Sequence, residues 1–496
     1  MKILLSSICL ETGTDIQLAL YYLKSYLLKR KAGFKGILRL KIAVYNENQN
    51  LHVIVKNILS SKPDLIGFSC YIWNIDKIIR ICRRLKKINP KLMIVLAGPE
   101  VTPRAGSILA RENSVDAIVR GEGEVSFAEL IEVLTRKNPD ISSVKGVSFR
   151  RGKTIIHNPD RQQLRDINNI PSPYLNGLIN LKNKNIIDIP LETTRGCFSR
   201  CHYCYYHKNL EQVRYFSLLR VEKELKLILK HKPHEVYLMD ATFNSNPARA
   251  KKILRMFIKY NKGSNLHVEL KAELVDKEMA LLLYRANAYN TEIGIQSVNS
   301  KTLKSVNRHL NKEKFKKGIT LLNKYGLFYE IQLIDALPFQ SYGTLKRSLD
   351  WLYELHPAKV EIFKLSIIPG TTLSENLAKF GIAYDPKPPY YAYKSNAISR
   401  NGLLKVDKLR VAMARLYDSQ VFQKTMYALK EKAGIKISDI MEDWIIWESR
   451  LSNSSLLNLE RLNRRLTEFL EYICRKHGKI SLYRKLLPGL LKSLPD

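Results

Sequence analysis

Short apolar runs alternate with amphipathic stretches along most of this chain, and that alternation limits the folds open to it. In the first 150 residues, stretches with helical spacing (15–30, 50–60, 74–88, 105–112 and 124–136) follow the apolar runs. Those runs cover residues 2–7, 38–44, 65–69, 92–97 and 117–119. Strand–helix alternation of this kind predicts a parallel sheet with helices on both faces. We therefore expect an α/β fold that begins with a Rossmann-like, flavodoxin-like domain over residues 1–150.

A second alternating series begins near residue 186. Its apolar runs cover residues 186–193, 235–239, 266–271, 290–295, 329–334 and 360–365. Six consecutive βα units predict a partial (β/α)6 barrel of the TIM type over residues 186–375. Residues 151–185, rich in Asn, Pro and Arg, have the composition of a linker, within which we expect residues 167–174 to pack across both neighbouring domains. Residues 376–496 show mainly helical patterns and predict a helical carboxyl-terminal domain.

Three cysteines follow the first predicted barrel strand, where the catalytic loops of such barrels lie. Cys197, Cys201 and Cys204 have the spacing C-x-x-x-C-x-x-C, with Gly196 before the first and Tyr203 before the last. Three thiolates so spaced can hold a cubane iron–sulfur cluster, whereas a structural cluster normally takes four. The fourth iron then has no protein ligand and is open to chemistry. The sequence identifies no general base beside this loop.

Other interpretations of the cysteines predict different chemistry. Seven cysteines among 496 residues are a sparse and odd set for a disulfide framework. Zinc is the main structural alternative, because His202 or His207 would complete a tetrahedral site. A buried, inert loop fits poorly with the neighbouring Arg200 and Lys208. Cys82 differs from the loop cysteines, because its helical spacing places it on an apolar face, and we expect it in the core.

Net charge is the unusual element of the composition. The chain has 82 Lys and Arg residues against 46 Asp and Glu, a formal net charge of +36. Lysines on solvated helix faces account for such an excess, and an acidic electron donor such as flavodoxin or ferredoxin is the more specific expectation. The absence of a focused basic–aromatic stripe argues against nucleic acid as a partner.

The sequence also bears on where the protein works. No apolar run approaches the roughly 18 residues needed to span a bilayer. The apolar start ends at Leu10 and is followed by acidic residues and no small-residue cleavage site. We expect no transmembrane segment and a cytoplasmic protein.

The cysteine motif resembles that of the radical S-adenosylmethionine (SAM) superfamily, and matching strand ends extend the resemblance over residues 186–372. In that family the three cysteines hold a [4Fe–4S] cluster and SAM chelates the fourth iron. An electron from the cluster then cleaves SAM to a 5′-deoxyadenosyl radical. The resemblance implies that SAM is bound by strand-end residues, namely Asp240, Thr242, Glu269, Lys271, Gln296, Ser297, Arg308, Ile368 and Pro369.

The amino-terminal domain resembles the cobalamin-binding domain that often precedes these barrels, through residues 63–69, 97–100 and 120–124. The cobalamin contacts that it implies are Ser69, Tyr71, Gly98, Pro99, Gly121 and Gly123. Domains that ligate cobalt from below carry Asp-x-His-x-x-Gly after the first strand. Residues 9–15 contain no histidine here, and the first in the chain is His52. The resemblance implies either cobalamin without that lower ligand or a domain that keeps the fold without the cofactor.

The tail, with Pro-Pro-Tyr-Tyr at residues 388–391, resembles a subfamily of uncharacterised cobalamin-domain radical enzymes with a helical carboxyl-terminal domain. These resemblances imply an enzyme that uses SAM, a [4Fe–4S] cluster and cobalamin to methylate an unactivated carbon. The resemblances leave three substrate classes open, namely a peptide, a lipid and a small metabolite. The alternatives are a non-methylating radical rearrangement or cyclisation, a zinc-containing nucleic-acid-binding protein, and a tRNA methylthiotransferase with a second cluster on Cys9, Cys70 and Cys82.

Overall fold

A computed structural model of the chain describes residues 1–10, 16–30, 38–183, 186–208, 212–450 and 459–493. Two parallel sheets and a helical region follow one another along the chain. Over the residues described, no helix has both the length and the apolar character that crossing a membrane requires.

The amino-terminal part is built on a seven-stranded sheet. Its strands are β1 (Lys2–Cys9), β2 (Arg39–Asn46), β3 (Leu65–Ser69), β4 (Met93–Ala97), β5 (Ala117–Val119), β6 (Val147–Arg151) and β7 (Thr154–His157). Their order is β2-β1-β3-β4-β5-β6-β7, and the first five are parallel. The connecting helices are α1 (Leu18–Lys29), α2 (Leu51–Ser60), α3 (Ile75–Ile88), α4 (Ala105–Arg111) and α5 (Gly123–Leu134). Apolar clusters cover both faces of the sheet, so the predicted Rossmann-like domain is confirmed.

Helix α3 shows how helical spacing selects the buried face. Ile75, Ile78, Cys82 and Leu85 lie on one side of the helix and are at most 3% exposed. Burial raises the pKa of the Cys82 thiol far above its usual range. The expectation that Cys82 belongs to the core is confirmed. A thiol packed in this way is not placed to bind a second cluster, which counts against the methylthiotransferase alternative.

The first sheet extends past the predicted domain boundary at residue 150. Strand β6 pairs antiparallel with β5, and β7 pairs antiparallel with β6, so the sheet ends at His157. The predicted linker contains a well-packed stretch, in which Ile167, Ile170 and Tyr174 are at most 1% exposed. The hydroxyl of Ser25 in α1 donates to the Pro171 carbonyl oxygen at 3.0 Å. These residues therefore pack α1 against the barrel instead of forming a free connection.

The central part contains β8 (Asp188–Leu191), two short strands β9 (Thr194–Arg195) and β10 (Arg214–Tyr215), and β11 (Glu235–Leu238), β12 (Asn265–Leu270), β13 (Asn290–Gln296), β14 (Glu330–Ile334) and β15 (Lys359–Phe363). Six of these form a parallel sheet in the order β15-β14-β13-β12-β11-β8. The barrel helices are α6 (Leu218–Lys230), α7 (Pro247–Tyr260), α8 (Lys277–Arg285), α9 (Ser300–Ser305), α10 (Lys312–Lys324) and α11 (Tyr342–Tyr353). The predicted partial barrel is confirmed.

Local sequence fixes where the barrel helices begin and how closely they pack. Asn246 caps α7, Asp276 caps α8 and Asn311 caps α10, each by accepting a hydrogen bond from a backbone N–H in the first turn. Helix α10 approaches the loop after β12 so closely that a Cβ on Gly318 would overlap the Ala272 carbonyl oxygen. Glycine is therefore required at that contact.

The carboxyl-terminal part is mainly helical, as predicted. A small ribbon of β16 (Ala383–Tyr384) and β17 (Ala392–Lys394) follows helix α12 (Leu377–Phe380). The larger helices are α13 (Arg400–Met413), α14 (Gln423–Ala433), α15 (Ile437–Glu448), α16 (Leu459–Lys476) and α17 (Ile480–Ser493). Trp444 and Phe469 are fully buried among them. An ion pair between Arg410 in α13 and the buried Asp335, just after β14, joins this part to the barrel.

Candidate active site

Two short strands hold the cysteine loop at the carboxyl end of β8. Strands β9 and β10 pair antiparallel, with Arg195 opposite Arg214. The loop begins at Gly196, whose φ is +102°. A Cβ at this position would lie 2.8 Å from the Gln212 carbonyl oxygen. Glycine therefore allows the chain to turn from β9 into the cysteine loop without strain.

Hydrogen bonds fasten the middle of the loop to the barrel rim. The His202 N–H donates to the Val306 carbonyl oxygen at 3.0 Å, and the Leu373 N–H donates to the His202 carbonyl oxygen at 2.8 Å. The side-chain amide of Asn307 donates to the Arg200 carbonyl oxygen at 2.9 Å. The loop conformation is thus set by residues that follow β13 and β15.

Two of the three thiols accept hydrogen bonds from the protein. The Arg308 guanidinium lies 3.5 Å from the Cys201 sulfur, and the Tyr206 N–H lies 3.4 Å from the Cys204 sulfur. Donors to cysteine sulfur are a means by which proteins tune iron–sulfur clusters. Burial raises the pKa of Cys204 to about 11. This thiol therefore needs a strongly positive partner, such as iron, to be held as a thiolate.

The geometry does not favour a zinc ion held by the three cysteines and His202. The Nδ1 atom of His202 lies 3.1 Å from the Ser305 carbonyl oxygen, so the ring is directed to the barrel rim. Within the described ranges, no three His, Cys, Asp or Glu side chains converge as ligands of one ion do. Cysteines that bind three different irons of a cube do not need to converge on one point.

The three cysteines line one cavity of about 360 Å³ at the carboxyl ends of the barrel strands. Thr242 after β11, Glu269 and Lys271 at the end of β12, Gln296 at the end of β13, and Arg308 line the same cavity. The fold thus brings together five residues that the family resemblance assigns to SAM.

Two of these polar side chains have unused hydrogen-bonding capacity. Gln296 is 9% exposed, and its side-chain oxygen Oε1 has no hydrogen-bond partner among the residues described. Glu269 accepts a long hydrogen bond of 3.5 Å from the Tyr237 hydroxyl. Burial, with a further contribution from the charge of Glu292, raises the pKa of Glu269 to about 7. A buried amide oxygen and a carboxylate in one cavity favour a ligand that brings hydroxyl or ammonium donors.

The described lining of this cavity does not include four of the predicted SAM contacts, Asp240, Ser297, Ile368 and Pro369. Asp240 is fully buried and accepts hydrogen bonds from the backbone N–H groups of Thr193 at 2.7 Å and Thr194 at 2.9 Å. Ser297 donates to the Gln340 side chain at 2.8 Å. Neighbouring strand residues point to opposite faces, so a strand-end segment offers only some of its side chains to the cavity.

Three further residues of the cavity lining were not predicted from the sequence, namely Tyr237, Glu292 and Gln332. The Gln332 amide donates to a Glu292 oxygen at 2.7 Å, and the other Glu292 oxygen lies 2.9 Å from His267 Nε2. A signal was present in the sequence. Strands β12 to β14 carry polar residues at alternate positions, which predicts a polar face toward the barrel interior.

The predicted cobalamin contacts lie at the carboxyl edge of the first sheet. Ser69 ends β3 and is buried, whereas Pro99 is exposed. Gly98 after β4 has a φ of +114°, and a Cβ there would lie 2.5 Å from the Cys70 carbonyl oxygen. Glycine thus permits a close approach between the ends of β3 and β4.

Of the other three predicted cobalamin contacts, only Gly121 is among the described residues that line the cavity between the first sheet and the barrel. The ring of Tyr71 stacks on that of Trp73, with centroids 4.5 Å apart. Gly121 borders a cavity of about 890 Å³ that also reaches Arg200 and His202 of the cysteine loop. Gly123 begins α5. Residues 11–15, where the lower histidine ligand is missing, lie outside the described residues.

Family models match three successive parts of the chain. The B12 binding domain matches residues 14–131, and a protein family of unknown function (DUF4080) matches residues 378–492. Between them, the radical SAM superfamily matches residues 191–352, which include the cysteine loop and the strand ends that line its cavity. Residues 191–352 therefore form a radical SAM domain, which lies between a B12 binding domain and the DUF4080 region.

Curated proteins similar to this chain include a methyltransferase and a cyclase. The cobalamin-dependent radical SAM methyltransferase TokK of Streptomyces tokunonensis is 25% identical over 66% of this chain and 51% of its own length. The anaerobic magnesium-protoporphyrin IX monomethyl ester cyclase of Synechocystis sp. is 26% identical over 55% of this chain and 56% of its own length. This chain thus spans about half the length of these curated relatives.

A solved structure shares the fold over nearly the whole chain. It is the cobalamin-dependent S-adenosylmethionine radical enzyme OxsB with aqua-cobalamin and S-adenosylmethionine bound. The superposition has a TM-score of 0.67 at 19% identity and covers 99% of this chain and 83% of the other. The order of the domains and their architecture are therefore those of a known radical SAM fold.

Proposed function

We propose that this chain is a cobalamin-dependent radical SAM enzyme that methylates an unactivated carbon. The observation that carries the proposal is one cavity that joins three thiols to Glu269, Gln296 and Arg308 in a chain with a B12 binding domain. The similarity to the methyltransferase TokK supports methyl transfer as the reaction.

The cysteine loop fits a [4Fe–4S] cluster, and its residues have distinct tasks. Cys197, Cys201 and Cys204 would each bind one iron. A cluster and SAM bound here would supply a carbon-centred radical, and cobalamin would supply a methyl carrier. Arg308 is held in place by its hydrogen bond to the Gly294 carbonyl oxygen and directs a positive charge at the Cys201 sulfur. That charge stabilises the electron-rich form of the metal site.

The remaining polar groups of the cavity would bind and orient SAM. The Gln296 oxygen and the Glu269 carboxylate accept hydrogen bonds, which suits the hydroxyl and ammonium groups of SAM. Lys271 lies within the same wall and offers a positive charge to a carboxylate. Binding within a buried pocket also keeps water away from a reactive radical.

A non-methylating radical rearrangement or cyclisation is the second candidate. It is favoured by the similarity to the Synechocystis protein, which is named as a cyclase. The proposed substrate of either reaction is a peptide, a lipid or a small metabolite.

We further propose an acidic electron donor, such as a flavodoxin or ferredoxin, and a cytoplasmic location. The net charge of +36 supports an acidic partner. None of the seven cysteines, all of which the structure describes, forms a disulfide, which suits a reducing compartment.

The test begins with anaerobic purification and reconstitution with iron, sulfide and cobalamin. Reduced protein is then given SAM, and 5′-deoxyadenosine and S-adenosylhomocysteine are quantified. Cys201→Ala should form no 5′-deoxyadenosine, whereas Cys474→Ala, a buried cysteine of α16, should match the unchanged chain. Both products are expected from a methylating enzyme, and 5′-deoxyadenosine alone would favour the second candidate. A chain that holds four irons and forms no 5′-deoxyadenosine would contradict the radical reaction.

A further inference from the structure

Helix α5 of the B12 binding domain meets the cysteine ribbon through ion pairs. Glu122, at the amino-terminal cap of α5, contacts Arg214 through both carboxylate oxygens, at 2.6 and 2.9 Å. Glu124, in the first turn, lies 2.8 Å from Arg195. Arg195 also contacts Glu122 at 3.4 Å and Glu192 at 3.0 Å. Each guanidinium nitrogen of Arg195 therefore faces a different carboxylate.

These ion pairs are well shielded from water. The side chains of the two arginines and three glutamates are between 8 and 20% exposed. Burial acts to raise the pKa of Glu122, but hydrogen bonds from Arg214 and the charge of Arg195 hold it below its usual value. Glu122 is thus charged at neutral pH. Removing one member of a buried set leaves its partners unpaired, which is far more disruptive than losing a surface pair.

The two arginines lie beside the cysteine loop, so these ion pairs bear on the position of the loop. Arg195 and Arg214 lie opposite each other in β9 and β10, on either side of the cysteine loop. Only Gly196 separates Arg195 from Cys197. From the barrel side, Asp240 holds the same ribbon through the N–H groups of residues 193 and 194. The ribbon is therefore fixed from the barrel by Asp240 and from the B12 binding domain by α5.

We propose that Glu122 and Glu124 are positioning residues for the iron–sulfur cluster, acting through Arg195 and Arg214. The B12 binding domain thereby sets the place of Cys197 relative to the rest of the loop, so that the metal site and the cobalamin domain keep a fixed separation. The inference rests on the proposed function, because it takes the loop to be a cluster site.

The test compares Glu122→Gln with Glu132→Gln in the reconstituted full-length protein. Glu132 belongs to the same helix and pairs with Arg30 and Arg136, each at 3.0 Å and within the amino-terminal part of the chain. Both variants lose one negative charge, and only Glu122→Gln disturbs the ribbon. Arg195→Lys is the second variant, since it keeps the positive charge but replaces a planar fork by a point charge that cannot face three carboxylates.

Four quantities are measured: bound iron, bound cobalamin, the reduced-cluster EPR spectrum with its midpoint potential, and 5′-deoxyadenosine formed from SAM alone per cluster. We expect Glu122→Gln and Arg195→Lys to bind cobalamin normally, with altered EPR and potential. SAM cleavage should fall at least tenfold. Glu132→Gln should match the unchanged chain.

Other outcomes would contradict either the positioning role or the proposed function. If both ribbon variants keep the unchanged EPR spectrum, potential and cleavage rate, and only their melting temperature falls, the ion pairs merely stabilise the interface and the proposal is wrong. If Glu122→Gln does not fold, Arg195→Lys carries the same test. If the unchanged chain assembles a cluster but does not cleave SAM, the proposed function fails, and the EPR comparison still tests the positioning role.

Discussion

His267 offers a test of the polar barrel interior that does not depend on any cofactor. Its Nδ1 lies 3.1 Å from a Glu235 oxygen, and its Nε2 lies 2.9 Å from a Glu292 oxygen. Both ring nitrogens therefore face acceptors, which requires the doubly protonated imidazolium. Burial acts to lower the pKa of His267, but these two hydrogen bonds and charges outweigh it and raise the pKa to about 9.

The size of the effect follows from linkage between protonation and folding. The ordinary histidine pKa is about 6.5, so a folded value near 9 corresponds to about 3 kcal/mol of unfolding free energy. Because the folded pKa is raised, this contribution is complete below pH 6.5 and is lost as the pH rises to 9. The His267 side chain is 17% exposed, so solvent screening reduces the figure little.

The assay is urea unfolding of the full-length chain at pH 6.5 and pH 9.5. Between these values, the unfolding free energy of the unchanged chain should fall by about 3 kcal/mol more than that of His267→Gln. His234→Gln serves as the control, because the His234 side chain is 66% exposed and its contact with Asp188 is a surface pair. Equal pH dependence in His267→Gln and the unchanged chain would show that Glu235 and Glu292 do not hold His267 in its protonated form.

Three further substitutions test the packing and the site. Gly318→Ala should lower the unfolding free energy by roughly 2 kcal/mol or more, because its Cβ would overlap the Ala272 carbonyl oxygen. Gly343→Ala in α11 is the control, since its Cβ meets nothing closer than 3.6 Å and should change the unfolding free energy little. Chemical denaturation compares the two variants. Asp240→Asn removes the charged acceptor of the ribbon N–H groups and should lower the unfolding free energy by about 1–3 kcal/mol. It should also lower the iron bound per chain, and denaturation and metal analysis measure the two effects. Unchanged iron loading would count against a role of Asp240 in holding the ribbon. Arg308→Gln removes a positively charged donor from the Cys201 sulfur and should lower the midpoint potential of the cluster. EPR-monitored redox titration measures that potential, and an unchanged value would contradict the contact between Arg308 and Cys201.

The strands and helices were predictable where hydrophobic pattern and local signals agree. Residues 65–69 form a continuous apolar run, and the strand has those bounds in the structure. Cys82 was assigned to the core from helical spacing alone. The hairpin of β6 and β7 was missed because β7 is short and half exposed, so its pattern is weak. Its pairing with the first sheet is a non-local contact that no local sequence signal encodes.

The side chains that line the cavity were harder to predict than the strands and helices. The resemblance placed the segments around Asp240 and Ser297 correctly at strand ends, but side chains there alternate between the cavity and the core. Polar alternation alone does not predict which face of a barrel strand lines the cofactor cavity. Tyr237 and Glu292 were therefore not predicted as cavity residues. The contact of Glu122 with Arg214 joins residues 92 apart and depends on how two domains pack. Such contacts become visible only in three dimensions.

We propose that Cys197, Cys201 and Cys204 hold a [4Fe–4S] cluster whose fourth iron is open to SAM. Mössbauer spectroscopy of ⁵⁷Fe-reconstituted protein, recorded with and without SAM, tests it directly. We expect four irons per chain, of which one changes its isomer shift and quadrupole splitting when SAM is added while three stay unchanged. A spectrum of tetrahedral cluster irons that SAM leaves unaltered would contradict the open site, and protein that binds zinc in place of iron would contradict the cluster itself.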